Sequence, residues 1–167
     1  AMDVRLDALR AKGAVMGQDG LESVRAVRRP VSTSSEAEEA FDGITYDKGA
    51  AIFEMLEAWL GPDVFRSGIR AYIKAHEHGS ATSEDLFEAL SRTSGKAVRP
   101  IASTFLDQPG VPLVRASLSC EPRSAPRVKL SQERYQARGR AGARLDGAWK
   151  IPICVAFDGA AGSRACG

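Results

Sequence analysis

The sequence predicts an α+β chain, helices first and strands after. Apolar residues recur at helical spacing up to about residue 110 and alternate beyond it. The change falls at Gln108-Pro109-Gly110-Val111-Pro112, a turn-forming run that suits neither a helix nor a strand interior. Trp149, Ile151, Ile153, Val155 and Phe157 then alternate without a break. The chain accordingly divides into a helical part, residues 1–110, and a strand-forming part, residues 111–167. Three strands make an incomplete β-sandwich, and the chain is expected to stop within that unit.

The elements follow in order. Met2, Leu6 and Leu9 share one face of a first helix that is expected to end at Gly13. Gly13 to Ser35 reads as a long irregular loop, with Gly17, Gly20 and Pro30 in it. Ser35 is a candidate N-cap, with Glu36, Glu38 and Glu39 in the first turn after it. The best helix runs from Ile44 to Leu60 and buries Ile52, Met55, Leu56, Trp59 and Leu60. Gly61-Pro62 ends it and opens a second, in which Phe65, Ile69, Tyr72 and Ile73 share a face up to Gly79. Thr82 and Asp85 form a capping box for a third helix carrying Leu86, Phe87 and Leu90. After Gly95, Val98, Ile101, Phe105 and Leu106 mark a fourth. Strands are expected over Leu113–Ser119, Arg127–Tyr135 and Trp149–Phe157, with Pro152 demanding an edge or a bulge in the last.

Composition excludes several classes. Lys plus Arg is 23 against 21 for Asp plus Glu, and this net charge of +2 gives no reason to propose nucleic acid or an anionic membrane as partner. No apolar run approaches the ~20 residues of a membrane span, and no signal peptide is expected at Ala1-Met2-Asp3. The sequence holds no H-E-x-x-H, C-x-x-C, G-x-G-x-x-G or G-x-S-x-G.

Three groups of residues could carry chemistry. His76 and His78 flank Glu77, but a spacing of two points the rings to opposite sides of a helix, so they read as a polar helix end rather than a metal site. Cys154 and Cys166 lie either side of Gly159-Ala160-Ala161-Gly162, and a hairpin there would allow a disulfide, leaving Cys120 over. Three buried thiols are the other reading, and a disulfide would favour an exported protein. Tyr46 lies on the flank of the best helix, beside Phe53 rather than in the buried stripe. A phenol at a helix N-terminus can donate to a developing oxyanion, and it can equally serve packing. Gly49, which costs ~1 kcal/mol inside a helix, is expected to serve close packing or a backbone approach.

A longer pattern surrounds Tyr46. Phe41-Asp42-x-Ile44-x-Tyr46-x-Lys48-Gly49-Ala50, followed by Met55-Leu56, resembles the stretch after the active-site motif of the zinc aminopeptidases typified by aminopeptidase N, the gluzincin aminopeptidases. Leu60-Gly61-x-x-x-Phe65-Arg66-x-Gly68-Ile69-x-x-Tyr72 and Ala81-Thr82-Ser83-Glu84-Asp85-Leu86-Phe87 are similar to that family's next helices. Gln108 to Val114 resembles its junction into a small β-sandwich, with Val111 where an aromatic is common, and Ser131 to Tyr135 and Trp149 to Ile153 resemble strands of it. The resemblance implies the helical C-terminal part of a gluzincin-like catalytic domain followed by part of that sandwich. It implies one zinc as cofactor, held by residues upstream of Ala1, and peptide substrates cut at the N-terminus. Tyr46 matches the family's catalytic tyrosine, which stabilises the tetrahedral intermediate. No zinc ligand falls in this chain and its substrate-binding residues are left unassigned; alone it is expected to be inactive and to bind no zinc. A non-catalytic scaffold of the same fold and a helical protein-binding module remain the alternatives.

Overall fold

The computed structural model describes residues 2–21, 23–121, 125–136, 147–156 and 164–166, with the side chains of residues 2–9 and 164–166 outside the description. The order is α1 (Met2–Asp19), α2 (Ser34–Glu39), a π-helical turn (Ile44–Lys48), α3 (Gly49–Leu60), α4 (Pro62–Ala75), α5 (Ser83–Ser94), α6 (Val98–Leu106), β1 (Pro112–Ser119), β2 (Arg127–Arg134), β3 (Cys154–Ala156) and β4 (Arg164–Cys166). The chain is α+β, mostly helical, with two antiparallel hairpins, β1–β2 and β3–β4.

The sequence signals place most helix boundaries. Thr82 caps α5: its hydroxyl accepts from the Asp85 N–H, and the Asp85 carboxylate accepts from the Thr82 N–H at 2.8 Å. Gly95, at φ +67, closes the same helix in the left-handed conformation. Pro62 stands at the first position of α4, where its missing N–H costs nothing. For α2 the cap is Thr33, not Ser35, because Glu36 stands three residues beyond Thr33 and completes a reciprocal box.

Other expected boundaries shift as well, and α4 ends at Ala75, short of Gly79. Helix α1 does not stop at Gly13 but continues to Asp19. Among the described residues a Cβ at Gly13 or Gly17 would meet nothing within 4 Å, so no described neighbour packs against these glycines, and burial of Val15 and Asp19 overrides their propensity. The predicted third strand shrinks to Cys154–Ala156, since Pro152 has no N–H to give a ladder. The Met2/Leu6/Leu9 face, Phe157 and the Gly159–Gly162 turn lie outside the described residues.

The core joins Ile52, Leu56 and Leu60 of α3 to Phe87 and Leu90 of α5 and to Val98, Ala102 and Phe105 of α6. Of the stripe expected on α3, Met55 and Trp59 are only half-buried. Ile73 on α4 is exposed, and the Tyr72 ring leans on His76, centroids 5.4 Å apart, rather than entering the core. Trp149, from well beyond the Pro-Gly break, completes the helical core at 3% exposure. The Gln132 carboxamide holds it there, donating to the Trp149 carbonyl and accepting from its N–H, each at 2.9 Å. Gln108 donates to the preceding carbonyl, Ala148, at 2.8 Å.

Helices α4 and α5 come close together at Gly68. A Cβ there would lie 2.8 Å from Leu90 Cδ2 and 3.3 Å from Leu90 Cα, and Leu90 is fully buried. Gly68→Ala gains ~1 kcal/mol of helix propensity, but overpacking against a fixed backbone costs ~1–3 kcal/mol. The expected outcome is a net loss of about 1 kcal/mol in chemical denaturation, and a gain in stability would mean that the two helices separate freely.

Candidate functional site

The segment from Asp42 to Lys48 is built around one carboxylate. Asp42 Oδ1 accepts the Thr45 N–H at 2.9 Å, and the Asp42 carbonyl accepts the Tyr46 N–H at 3.0 Å. Burial pushes the Asp42 carboxyl up, but the Thr45 N–H and the Arg25 guanidinium outweigh it and hold the carboxyl below its ordinary range. Arg25 Nη2 lies 2.7 Å from Asp42 Oδ1. The turn that follows is π-helical, with Ile44 and Lys48 buried and Tyr46 between them 60% exposed.

Tyr46 projects outward from this turn. Its ring partner is Phe41, centroids 6.2 Å apart and tilted by 37°, and not Phe53. Among the described residues its hydroxyl has no hydrogen-bond partner, so the phenol is presented to solvent rather than packed. Gly49 serves no close packing or backbone approach among the described residues, for a Cβ there would meet nothing of them within 4 Å.

The inner side of the same turn is charged and buried. Lys48 Nζ lies 2.9 Å from Asp19 Oδ2, an ion pair rather than a well-directed hydrogen bond. It donates to the Gly110 carbonyl at 3.0 Å, while Asp19 Oδ1 accepts the Gly110 N–H at 2.8 Å. Burial lowers the Lys48 pKa, Asp19 opposes that, and the nearby charge of Arg134 adds to it. Gly110 is held at φ +91, and a Cβ there would collide with the Arg134 guanidinium, so only glycine fits. Lys48 and Asp19 also line an apolar groove of about 240 Å3, with Val15, Met16, Ile52 and Met55 among its walls.

The other predicted site residues lie apart from this turn. His76 caps the C-terminal end of α4, and His78 stands in the following turn at φ +59, 92% exposed. Strand register places Cys154 opposite Cys166, and Cys120 is exposed with a free thiol, not buried. Among the described residues no group of three or more His, Cys, Asp or Glu side chains is placed to hold a metal ion. These residues therefore do not fit the zinc that the resemblance implies, and the chemistry open to them is that of their own side chains. Sequence reasoning missed the roles of Asp19, Arg25 and Lys48. A signal existed for Lys48: Ile44, Lys48 and Ile52 are spaced by four, which puts a lysine on a buried stripe.

The buried pair makes a sharp prediction. Asp19→Asn keeps an acceptor for the Gly110 N–H but leaves Lys48 buried without a counter-charge, at a cost of ~3–5 kcal/mol near pH 7. The folded pKa of Lys48 is already depressed and falls further in the variant. The unfolded chain then binds more protons than the folded one, so stability must rise with pH towards the ordinary lysine value of 10.5. Denaturation at pH 7 and at about pH 9.5 should show the gap to wild type narrowing. A gap that is constant or widens would mean that Lys48 is not the buried charge.

The helices and the Pro-Gly junction match known sequences. A model of the peptidase family M1 domain matches residues 2–105. The chain is 36% identical over 137 residues to "Aminopeptidase M1" of Arabidopsis thaliana, covering 82% of this chain and 15% of that protein. It is 32% identical over 151 residues to "Leucyl aminopeptidase" of Saccharolobus solfataricus, covering 90% of this chain and 18% of that protein. It is 32% identical over 148 residues to "Glutamyl aminopeptidase" of Bitis rhinoceros, covering 83% and 14% respectively. The chain thus spans less than a fifth of the length of these relatives. It belongs to peptidase family M1, the zinc-dependent aminopeptidases of the aminopeptidase N type.

Proposed function

We propose that this chain is the segment of a zinc aminopeptidase that follows the metal-binding motif, and that Tyr46 supplies its oxyanion donor. In this reading residues 1–110 are the helical C-terminal part of the catalytic domain, and residues 111–167 are part of a β-sandwich. The substrates are peptides with a free N-terminus. The observation that carries the reading is the presentation of Tyr46: an exposed phenol on a turn whose inner residues are locked. The turn runs directly into α3, so the phenol stands near the positive end of a helical run, where negative charge is favoured. When the scissile carbonyl becomes tetrahedral its oxygen gains charge, and the Tyr46 O–H donates to that oxygen. The sequence lacks H-E-x-x-H, and the isolated chain is accordingly inactive.

The reading includes a disulfide between Cys154 and Cys166. Their support is the register of β3 and β4, which sets the two residues directly opposite, the separation at which a cross-strand bond is geometrically accessible. A loop of this size would stabilise by ~3 kcal/mol in the chain-entropy account.

Two measurements test these assignments. In the full-length protein, Tyr46→Phe keeps the ring and removes the donor, and kcat should fall ~10²- to 10³-fold with KM little changed. Tyr72→Phe, whose ring leans on His76, should leave kcat within about threefold. Near-normal kcat in Tyr46→Phe would remove the catalytic assignment, and no turnover in the wild-type full-length protein would favour the non-catalytic scaffold. Peptide mapping without reductant, on protein recovered from an oxidising compartment, should find Cys154 linked to Cys166; two free thiols would discard the bond.

A further inference from the structure

We propose that Arg25 and Asp42 are positioning residues for the Tyr46 phenol, fixing the end of the π-turn that carries it. The inference rests on the reading of Tyr46 as oxyanion donor and extends it to residues that touch no substrate.

Arg25 lies in the loop between α1 and α2, yet its guanidinium is committed to the start of the turn. Nη2 donates to Asp42 Oδ1 at 2.7 Å, to Thr45 Oγ1 at 2.9 Å and to the Ala40 carbonyl at 3.3 Å. Nη1 donates to the carbonyls of Ala26 at 2.8 Å and Val27 at 3.3 Å, which anchors the guanidinium in its own loop. The Asp42 oxygen that Arg25 holds is the one that accepts the Thr45 N–H, and the Asp42 carbonyl accepts the N–H of Tyr46 itself. Both amides leading into Tyr46 are thus tied to one aspartate, and that aspartate is tied to one arginine.

At its other end the turn is held by Lys48, through Asp19 and the Gly110 carbonyl. The backbone under Tyr46 is fixed on both sides, and only the two side-chain torsions of the phenol remain soft. A turn that merely began a helix would need one cap. In α2 and α5 the capping carboxylate is held by its threonine, and Arg29 and Arg28 donate to other atoms of the first turn, the Glu36 carbonyl and the Ser83 and Glu84 side chains. Here a half-buried guanidinium from another loop is added where an outward tyrosine follows. Misplacing a reacting group by ~1 Å costs up to ~10²-fold in rate, so fixing this backbone has a catalytic consequence out of proportion to its stability.

The test is a double-mutant cycle in the full-length protein, with aminoacyl-anilide hydrolysis as readout and metal content matched. Asp42→Ala should lower kcat about 10- to 100-fold with KM within about twofold. In the Tyr46→Phe background the same substitution should change kcat less than about twofold, because the donor it positions is gone. Asp42→Asn keeps an oxygen for the Thr45 N–H and should recover most of the loss, and Arg25→Lys, which keeps charge but not the fork, should fall between. If Asp42→Ala does not fold, Thr45→Val removes only the Oγ acceptor and should show the same non-additivity at smaller size. Equal losses in both backgrounds would overturn the positioning role in favour of a general structural one, as would wild-type kcat in Asp42→Ala. A silent Tyr46→Phe would instead overturn the catalytic reading beneath it.

Discussion

Burial of the Asp19–Lys48 pair is the constraint to which the surrounding geometry conforms. Two opposite charges 2.9 Å apart sit almost wholly out of water, and neither can be left there alone. Such a pair contributes little net stability, since its desolvation offsets most of its attraction. What it does is exclude alternatives. Any packing that slides α1 along the π-turn separates the charges and leaves one buried and unpaired. The Gly110 peptide group is drawn into the same arrangement, its N–H on Asp19 and its carbonyl on Lys48. The end of α1, the start of the α3 run and the turn into β1 therefore meet at one point. Gly110 stands at φ +91, which strains any side chain, and Arg134, from the end of β2, closes over it and donates to the Leu21 carbonyl at 3.0 Å.

The loop between α1 and α2 shows how a stretch without regular structure is held. Its backbone carbonyls and N–H groups cannot pair with each other as in a helix, so arginines serve them and bind the loop to its surroundings. Arg25 reaches the carbonyls of Ala26, Val27 and Ala40. Arg28 forks onto Asp107 at 2.6 and 2.8 Å and reaches Glu84 at 2.6 Å, while its own N–H donates to the Leu106 carbonyl. The hydrogen bonds that Arg28 donates to Asp107 raise its pKa, so it stays charged throughout any accessible pH, and Glu84 is held below its ordinary value by Ser83 and Arg28. These arginines tie the loop to α5, α6 and the π-turn at once. A planar guanidinium carries more N–H donors, spread over a fixed fork, than the single point of a lysine ammonium.

Local chemistry was legible in the sequence, and long-range partnership was not. The Thr82/Asp85 box, the Gly61-Pro62 stop and the strands β1 and β2 each follow from residues within a few positions of one another, which is why they could be read. Helix α1 outruns Gly13 because burial at Val15 and Asp19 decides its length, and that burial depends on residues some thirty to ninety positions away. Tyr46 was visible because a family pattern surrounds it. The residues that hold its turn were not, because Arg25 has no periodic reason to face Asp42, and Asp19 has none to face Lys48. The shortening of the last strand could have been read more firmly from Pro152, whose ring removes the ladder donor midway along the alternating run.

The π-turn itself has a cause in residue spacing. Ile44, Lys48, Ile52, Leu56 and Leu60 are all buried, and each is four residues from the next. In a regular α-helix a step of four overshoots a full rotation by about 40°. Over the four steps from Ile44 to Leu60 that drift reaches about 160°, which would carry Ile44 to the side opposite Leu60. A helix cannot keep all five inward unless some turn is wider than the rest. The turn from Ile44 to Lys48 is that one: its i→i+5 pattern advances more slowly around the axis and cancels part of the drift. Ile44 and Lys48 thereby remain on the side of Ile52, and Lys48 reaches Asp19. Tyr46 falls midway between two inward residues and so must point outward. The spacing that buries the lysine is thus the spacing that presents the phenol, and one local widening of the helix sets both.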